Sequence, residues 1–306
     1  MKRKLTAILY ILTFLILCFN SPAAFCATVN EPGAQSVKKV EAEEAPSKKV
    51  VVEAEEPMPS KPQKHEKKYN FKLEEINNIE INCADINVDI VPSKDKENIV
   101  VTIKGKGINH PTALIEHKAL KIRQKDKNTY DVKNSDDIIK TIKKAHKSLK
   151  DAGKYTITIH IAPEFSKNLS INTFRCNIKI DNLTCNTISV NAVTAEIKCD
   201  NLKTKSANFL SLSGKTLLKQ FSGDLTYISP AIGNIDVKYS EFKNKIDLFM
   251  ILGSVKIKFQ KVKDFSLDYQ SKWVRLKNDF ENITSTNSKN KIKITNIFGT
   301  TKIEKL

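Results

Sequence analysis

Two carboxylate-amide pairs, Asp181-Asn182 and Asp200-Asn201, stand 19 residues apart. If a repeat of that length stacks them, they form a short acidic column. Two carboxyl groups held close together serve as acid and base in glycoside cleavage, or as ligands of a calcium ion. Asp and Asn are equally the residues favoured where a chain turns, because their short side chains hydrogen-bond the local backbone. Each pair closes a strand-like run, and one period later the column gives way to Lys219 and Gln220. A structural corner is the stronger reading, and a catalytic or metal-binding dyad the weaker.

Cysteine and histidine offer less. Cys18 and Cys26 fall in the N-terminal leader described below, which leaves Cys83, Cys176, Cys185 and Cys199. These allow more than one disulfide pairing, and the sequence does not choose among them. No C-x-x-C occurs, and no histidine lies near Cys176, Cys185 or Cys199, so neither a metal site nor a cysteine nucleophile is indicated. Cys199 takes the slot that Ile180 holds one period earlier and reads as a small core hydrophobe. The histidines, His65, His110, His117, His146 and His160, are scattered, with His65 in the N-terminal tail, His146 on a helix and His160 on the polar side of its strand. None has a metal-ligand spacing, and each reads as an ordinary surface histidine. There is no G-x-S-x-G, P-loop or dinucleotide-type glycine motif. We expect no catalytic residue, no cofactor and no metal.

The elements that position these residues are set by the repeat. LSINTFRCNIKIDNLTCNT and ISVNAVTAEIKCDNLKTKS superimpose at 19 residues, with Leu169 on Ile188, Ile171 on Val190, Ile178 on Ile197, Ile180 on Cys199 and Leu183 on Leu202. A unit this short cannot bury its own apolar face and must stack on its neighbours, as in a solenoid. Within a unit Ile178 and Ile180 share one strand face, and Leu183 follows a polar pair. The pattern runs on through Thr216, Leu218 and Phe221, then Ile235 and Val237, Val255 and Ile257, then Val274, Leu276 and Phe280, and finally Ile292, Ile294 and Ile297. Six or seven rungs are expected.

Ahead of the repeat, Lys2, Arg3 and Lys4 precede an apolar run from about Leu5 to Phe19, and small residues follow to Ala27. That order marks residues 1–27 as a secretory signal peptide. The run is short for a span needing about 20 residues. Residues 28–68 are built from Glu, Lys, Pro, Ala and Val, and echo themselves in VEAEEAPSK and VEAEEPMPSK. They bury too little apolar surface to fold and read as a disordered linker. Residues 69–306 form the folded domain. Strand alternation resumes there in Ile79, Ile81 and Cys83, in Ile86, Val88 and Ile90, in Ile99, Val101 and Ile103, and again from Tyr155 to Ile161. Between them, about 135–152, Ser135 and two aspartates open an apolar stripe of Ile138, Ile139, Ile142, Ala145 and Leu149 with Gly153 beyond it. This predicts one amphipathic helix, inserted into or capping the solenoid.

The formal charge is +17, and +14 once the three basic leader residues are removed. All of it lies on the folded domain, since the linker's Glu and Lys balance. A basic exported surface suits anionic envelope or host glycans, or other surface proteins; export disfavours nucleic acid. The charge is mostly lysine, which also keeps exposed sheets soluble.

INNIEINCADINVDIVPSKDKENIVVTIKG, YTITIHIAP, LSINTFRCNIKIDNL and ISVNAVTAEIKCDNL together resemble the bacterial adhesin-like DUF4097 family, over roughly Phe71 to Leu306. Ser222-Gly223-Asp224 keeps that family's rung-opening corner, and Ser213-Gly214-Lys215 keeps part of it. The resemblance implies an all-β fold, a right-handed parallel β-helix-like solenoid, at the cell envelope, and brings no catalytic residues. The expectation is an exported, extracytoplasmic, non-enzymatic binding module. Its alternatives are a carboxylate-dependent polysaccharide lyase or hydrolase, with Asp181 and Asp200 at the floor of a groove, and a purely structural envelope spacer.

Overall fold

A computed structural model describes residues 63–107, 110–124, 154–240, 242, 244–271, 273–280 and 288–306. The expected leader, most of the linker and the expected helix at about 135–152 lie outside the described residues. Among those described there is no α-helix, only a single 3-10 turn at Leu73–Glu75. Strands wind the chain into stacked rungs.

Each rung repeats one pattern of inward side chains. In one turn Leu169 and Ile171 point in from the first side, Cys176, Ile178 and Ile180 from the second, and Leu183 and Cys185 from a short third side; all are buried. Alternation with period two sends their neighbours outward. Burying an aliphatic side chain stabilises by about 1.5–3 kcal/mol, so a rung gains most when both of its neighbours are present.

The order of rungs in space differs from their order in the chain. Strand β1 (Gln63–Lys72) begins six residues before the expected domain boundary, because its backbone pairs antiparallel with β3 (Asn98–Gly107) from Gln63 onward. That edge ladder needs little apolar side chain to form. Strand β2 (Asn78–Pro92) is the first full rung, yet it is internal. On one side it pairs in parallel with β5 (Ala119–Gln124) and β6 (Lys154–Ile161), which together make an outer rung. On the other it pairs in parallel with the start of β7 (Asn168–Tyr239), a continuous strand path that winds through several turns. Beyond the outer rung the direction reverses, with β4 (Pro111–Glu116) antiparallel to β5 and β3 antiparallel to β6.

The other end mirrors this. Strand β8 (Lys245–Phe259) follows β7 in parallel register. The chain then skips a place, builds β9 (Ser266–Gln270) and β10 (Leu276–Asn278), and returns to fill the gap with β11 (Lys291–Lys305). Strand β11 pairs with β8 on one side and with β9 and β10 on the other, all in parallel. Leu276 and Phe280 therefore belong to the outermost rung, and Ile292 and Ile294 to the one inside it.

One inward position is corrected. Ile297, expected inside, turns outward at the corner, and Asn296 is the buried residue; its amide donates to Thr300 O at 3.2 Å and to Thr301 Oγ1 at 3.1 Å. A buried amide is tolerated when its donors are matched in this way.

The corner between the first and second sides tightens along the pile. Its first inward position is Ile86, Cys176 and Ala195 in the early rungs, and Gly214, Gly233, Gly253 and Gly299 later. Gly253 and Gly299 have φ of +146° and +128°, and a Cβ on either would run into the carbonyl of the glycine one rung before. Only glycine fits there.

Candidate functional site

Asp181 and Asp200 are exposed, one rung apart, at the corner after the second side. What joins the pairs is the amides: Asn201 donates its side-chain N–H to Asn182 Oδ1 at 2.7 Å. Asn182, Asn201 and then Gln220 have φ of 49°, 50° and 52°. The left-handed region is costly for most side chains and least so for Asn, which explains the residue types at this corner.

Among the described residues the four cysteines, Cys83, Cys176, Cys185 and Cys199, are free and buried. Burial pushes the thiols of Cys83 and Cys176 up to about 12, and raises those of Cys185 and Cys199 as well. Only a thiolate attacks or binds a metal, so these groups act as small core side chains. Among the described residues no cluster of His, Cys, Asp and Glu could hold a metal ion.

His65 is not in a tail. It lies on β1 with its ring stacked on His110 at 4.0 Å, while His110 Nδ1 is 2.8 Å from the Tyr155 hydroxyl. Tyr155 in turn fills the space over Gly105, the residue opposite His65. Desolvation lowers the pKa of both imidazoles, helped by the Lys67 charge and, for His65, by His110.

The outer surface is organised in columns that run from rung to rung. Asn191 donates to Asn172 and Asn172 to Asn82, at 2.8 and 2.9 Å; Asn177 donates to Asn87 at 3.0 Å. These amide ladders flank the first corner in the early rungs. In the late rungs the corner becomes apolar. Ile232, Leu252 and Phe298 are aligned by strand register on three successive rungs, and are 53%, 45% and 44% exposed. Trp273, 72% exposed in the corner between β9 and β10, stacks on Phe298 with ring centroids 6.5 Å apart and planes 5° from parallel. That corner is tied by Ser271 Oγ accepting from Val274 N at 2.9 Å, and by the Tyr269 hydroxyl donating to Val274 O at 3.1 Å.

A family model described as Toastrack DUF4097 matches residues 76–304. The chain belongs to the Toastrack DUF4097 family. Three solved structures are similar to it: a putative cell adhesion protein from Clostridium sporogenes (9% identity, 80% of this chain and 100% of that one, TM-score 0.38), a putative adhesin from Bacteroides fragilis (13%, 80% and 98%, 0.32) and one from Parabacteroides merdae (12%, 79% and 96%, 0.33). No curated protein matches the chain.

In this Toastrack domain the sequence reading found the corner and the inward cysteines but missed the exposed apolar column. Its signal was present. Ile251-Leu252 and Ile297-Phe298 are apolar doublets, and in a period-two strand one member of a doublet must face out.

Proposed function

We propose that this Toastrack protein is an exported, non-enzymatic binding module of the bacterial cell envelope, which contacts its partners through the outer surface of the solenoid. One observation carries the reading. Ile232, Leu252, Phe298 and Trp273 are large exposed apolar side chains, and they are gathered in a single column instead of scattered. Isolated surface hydrophobes need no explanation, whereas a contiguous set marks an interaction site. The groups that chemistry would use are placed otherwise: the carboxylates of Asp181 and Asp200 at an exposed turn, the thiols inside the core. The charged, apolar, small-residue order of the first 27 residues supports export. The winding is taken as right-handed, the sense implied by the family resemblance.

The test is retention of the purified protein on separated envelope fractions, namely peptidoglycan, teichoic acid or lipopolysaccharide, and anionic vesicles, at low and at about 0.15 M ionic strength. Retention by one fraction that persists at the higher salt is expected. Binding to every anion at low salt that vanishes with screening would leave a lysine-rich spacer in place of a binding module.

A further inference from the structure

We infer that the apolar column at the first corner is a lipid-facing edge, which seats shallowly in the surface of an anionic bilayer. The inference rests on the reading of the protein as an envelope binding module and names the partner of that surface.

Geometry comes first. Successive rungs lie about 4.8 Å apart, so Ile232, Leu252, Phe298 and Trp273 form a row about 15 Å long. The row lies where the chain turns between two sides of the solenoid, so it projects as a convex edge. A convex edge does not enclose a peptide or a small molecule; it suits a soft, deformable surface. Ile251 and Ile297, half-buried at the same corner, broaden its apolar base.

The second argument is the order of residue types away from the edge. On the wall formed by the second side, the next outward positions are Asn234, Ser254 and Thr300, with Ser254 Oγ donating to Asn234 Oδ1 at 2.8 Å. The positions after those are Asp236, Lys256, Lys302 and Lys277. Each step is two residues, about 7 Å along a strand. The sequence is apolar, then neutral polar, then mostly cationic, which is the order that acyl chains, glycerol and phosphates present going outward from a bilayer. On the wall of the first side the next row is Ile228 and Phe249, then Thr295 and Gln270, and the row beyond is Thr226, Asp247, Lys293 and Asp268, so the cationic band belongs to the second side alone. An indole at such a boundary sits at the headgroup level, and basic residues near it are attracted to an anionic leaflet.

Charge also decides against a second copy as the occupant. Two molecules joined edge to edge would bring Lys256, Lys302 and Lys277 of each wall toward their counterparts, on domains that each carry a large positive charge. Lys256 also pairs with Glu304 at 3.1 Å and Lys277 with Asp279 at 3.8 Å, so an anionic surface shares these lysines with carboxylates of their own wall.

Trp273 is the only tryptophan in the chain, so its emission reports on this edge alone. The full chain is titrated with vesicles of phosphatidylcholine containing phosphatidylglycerol, and with phosphatidylcholine vesicles alone, at about 0.15 M ionic strength. The expected result is a blue shift with the anionic vesicles, quenching by lipids brominated near the headgroup, and little change with neutral vesicles. The double variant Leu252→Ser/Phe298→Ser keeps Trp273 and is expected to partition about tenfold more weakly. Its N-terminal apolar run is the same as that of the parent, so that run cannot account for the difference. An unmoved emission spectrum overturns the inference, even if the protein sediments with the vesicles, because lysines alone would then hold it. An equal shift in the double variant also overturns it. A blue shift that grows with protein concentration without lipid, together with a dimeric mass, assigns the edge to a second copy instead. If anionic vesicles fail while another envelope fraction retains the protein, the binding-module reading stands and the lipid-facing edge does not.

Discussion

Asn172 and Asn82 are 90 positions apart in the chain and one rung apart in space, where Nδ2 of the first donates to Oδ1 of the second at 2.9 Å. Asn172 also accepts from Asn191 on the next rung. It is the middle member of a ladder, and each such bond contributes about 0.5–1.5 kcal/mol, at the lower end when exposed. Asn172→Ala should therefore cost about 1 kcal/mol and Asn191→Ala about half as much. Urea titration of both variants checks this; equal losses would mean that the ladder contributes nothing beyond the residues themselves.

The glycine stack should be far less forgiving. Gly253→Ala places a methyl group against the Gly233 carbonyl at a φ of +146°. The strain and the displaced backbone together should exceed about 3 kcal/mol. Thermal unfolding is expected to show a large drop in midpoint, or no folded protein at all. Near-parental stability would mean that the corner has slack the geometry does not reveal.

The stacked imidazoles make stability depend on pH. Both His65 and His110 have folded pKa values lowered from 6.5, first by desolvation, then for His65 by His110 and Lys67, and for His110 by Lys67. The groups facing them are Lys67, the Tyr155 hydroxyl and each other. A histidine that protonates more readily when unfolded adds protons to the unfolded state first. Stability is therefore fully present above about 6.5 and falls as pH drops from there toward the folded values. Melting curves between about pH 7.5 and 5 should show this slope, and His65→Gln should flatten it. A slope unchanged in that variant would assign the dependence to other groups.

Buried thiols predict a chemical silence. Cys83, Cys176, Cys185 and Cys199 are shielded and held protonated, so a thiol reagent at about pH 8 should label none of them in the native protein and all four after denaturation. Peptide mapping separates these from Cys18 and Cys26. Rapid native labelling of Cys185 would show that the third side of the rung opens.

Much of the winding was legible because it is local. The 19-residue match of Leu169 to Ile188 sets which side chains face in, and Asn182 and Asn201 mark their own corner because few residues adopt that conformation. The order of the rungs was not legible. Ile292 and Ile294 have the same alternation whether they follow β10 or slip beneath it, and only pairing with β8 on one side and β9 on the other distinguishes the two. The Asn82 ladder was hidden for a similar reason: the excursion through β3 to β6 puts its partner far outside any short period. His65 was misplaced because a Lys- and Glu-rich segment reads as a tail, yet an edge strand is held by its backbone and tolerates such side chains. At Ile297 the alternation failed because Asn296 takes the inward place and its Nδ2 donates to Thr300 O and Thr301 Oγ1 on its own corner.

The late arrival of β11 also bears on synthesis. A ribosome delivers the outermost rung before the one that belongs beneath it, so the place between β8 and β9 stays open until Lys291 to Lys305 have emerged. A chain that stops early is left with a breach in its wall, lined by the unpaired backbone of β8 and the bare aliphatic row of Ile246, Leu248, Val255 and Ile257. The fifteen residues of β11 act as a keystone: among the described residues the strands that flank them meet no other partner on that side, so the wall closes only when this stretch is in place.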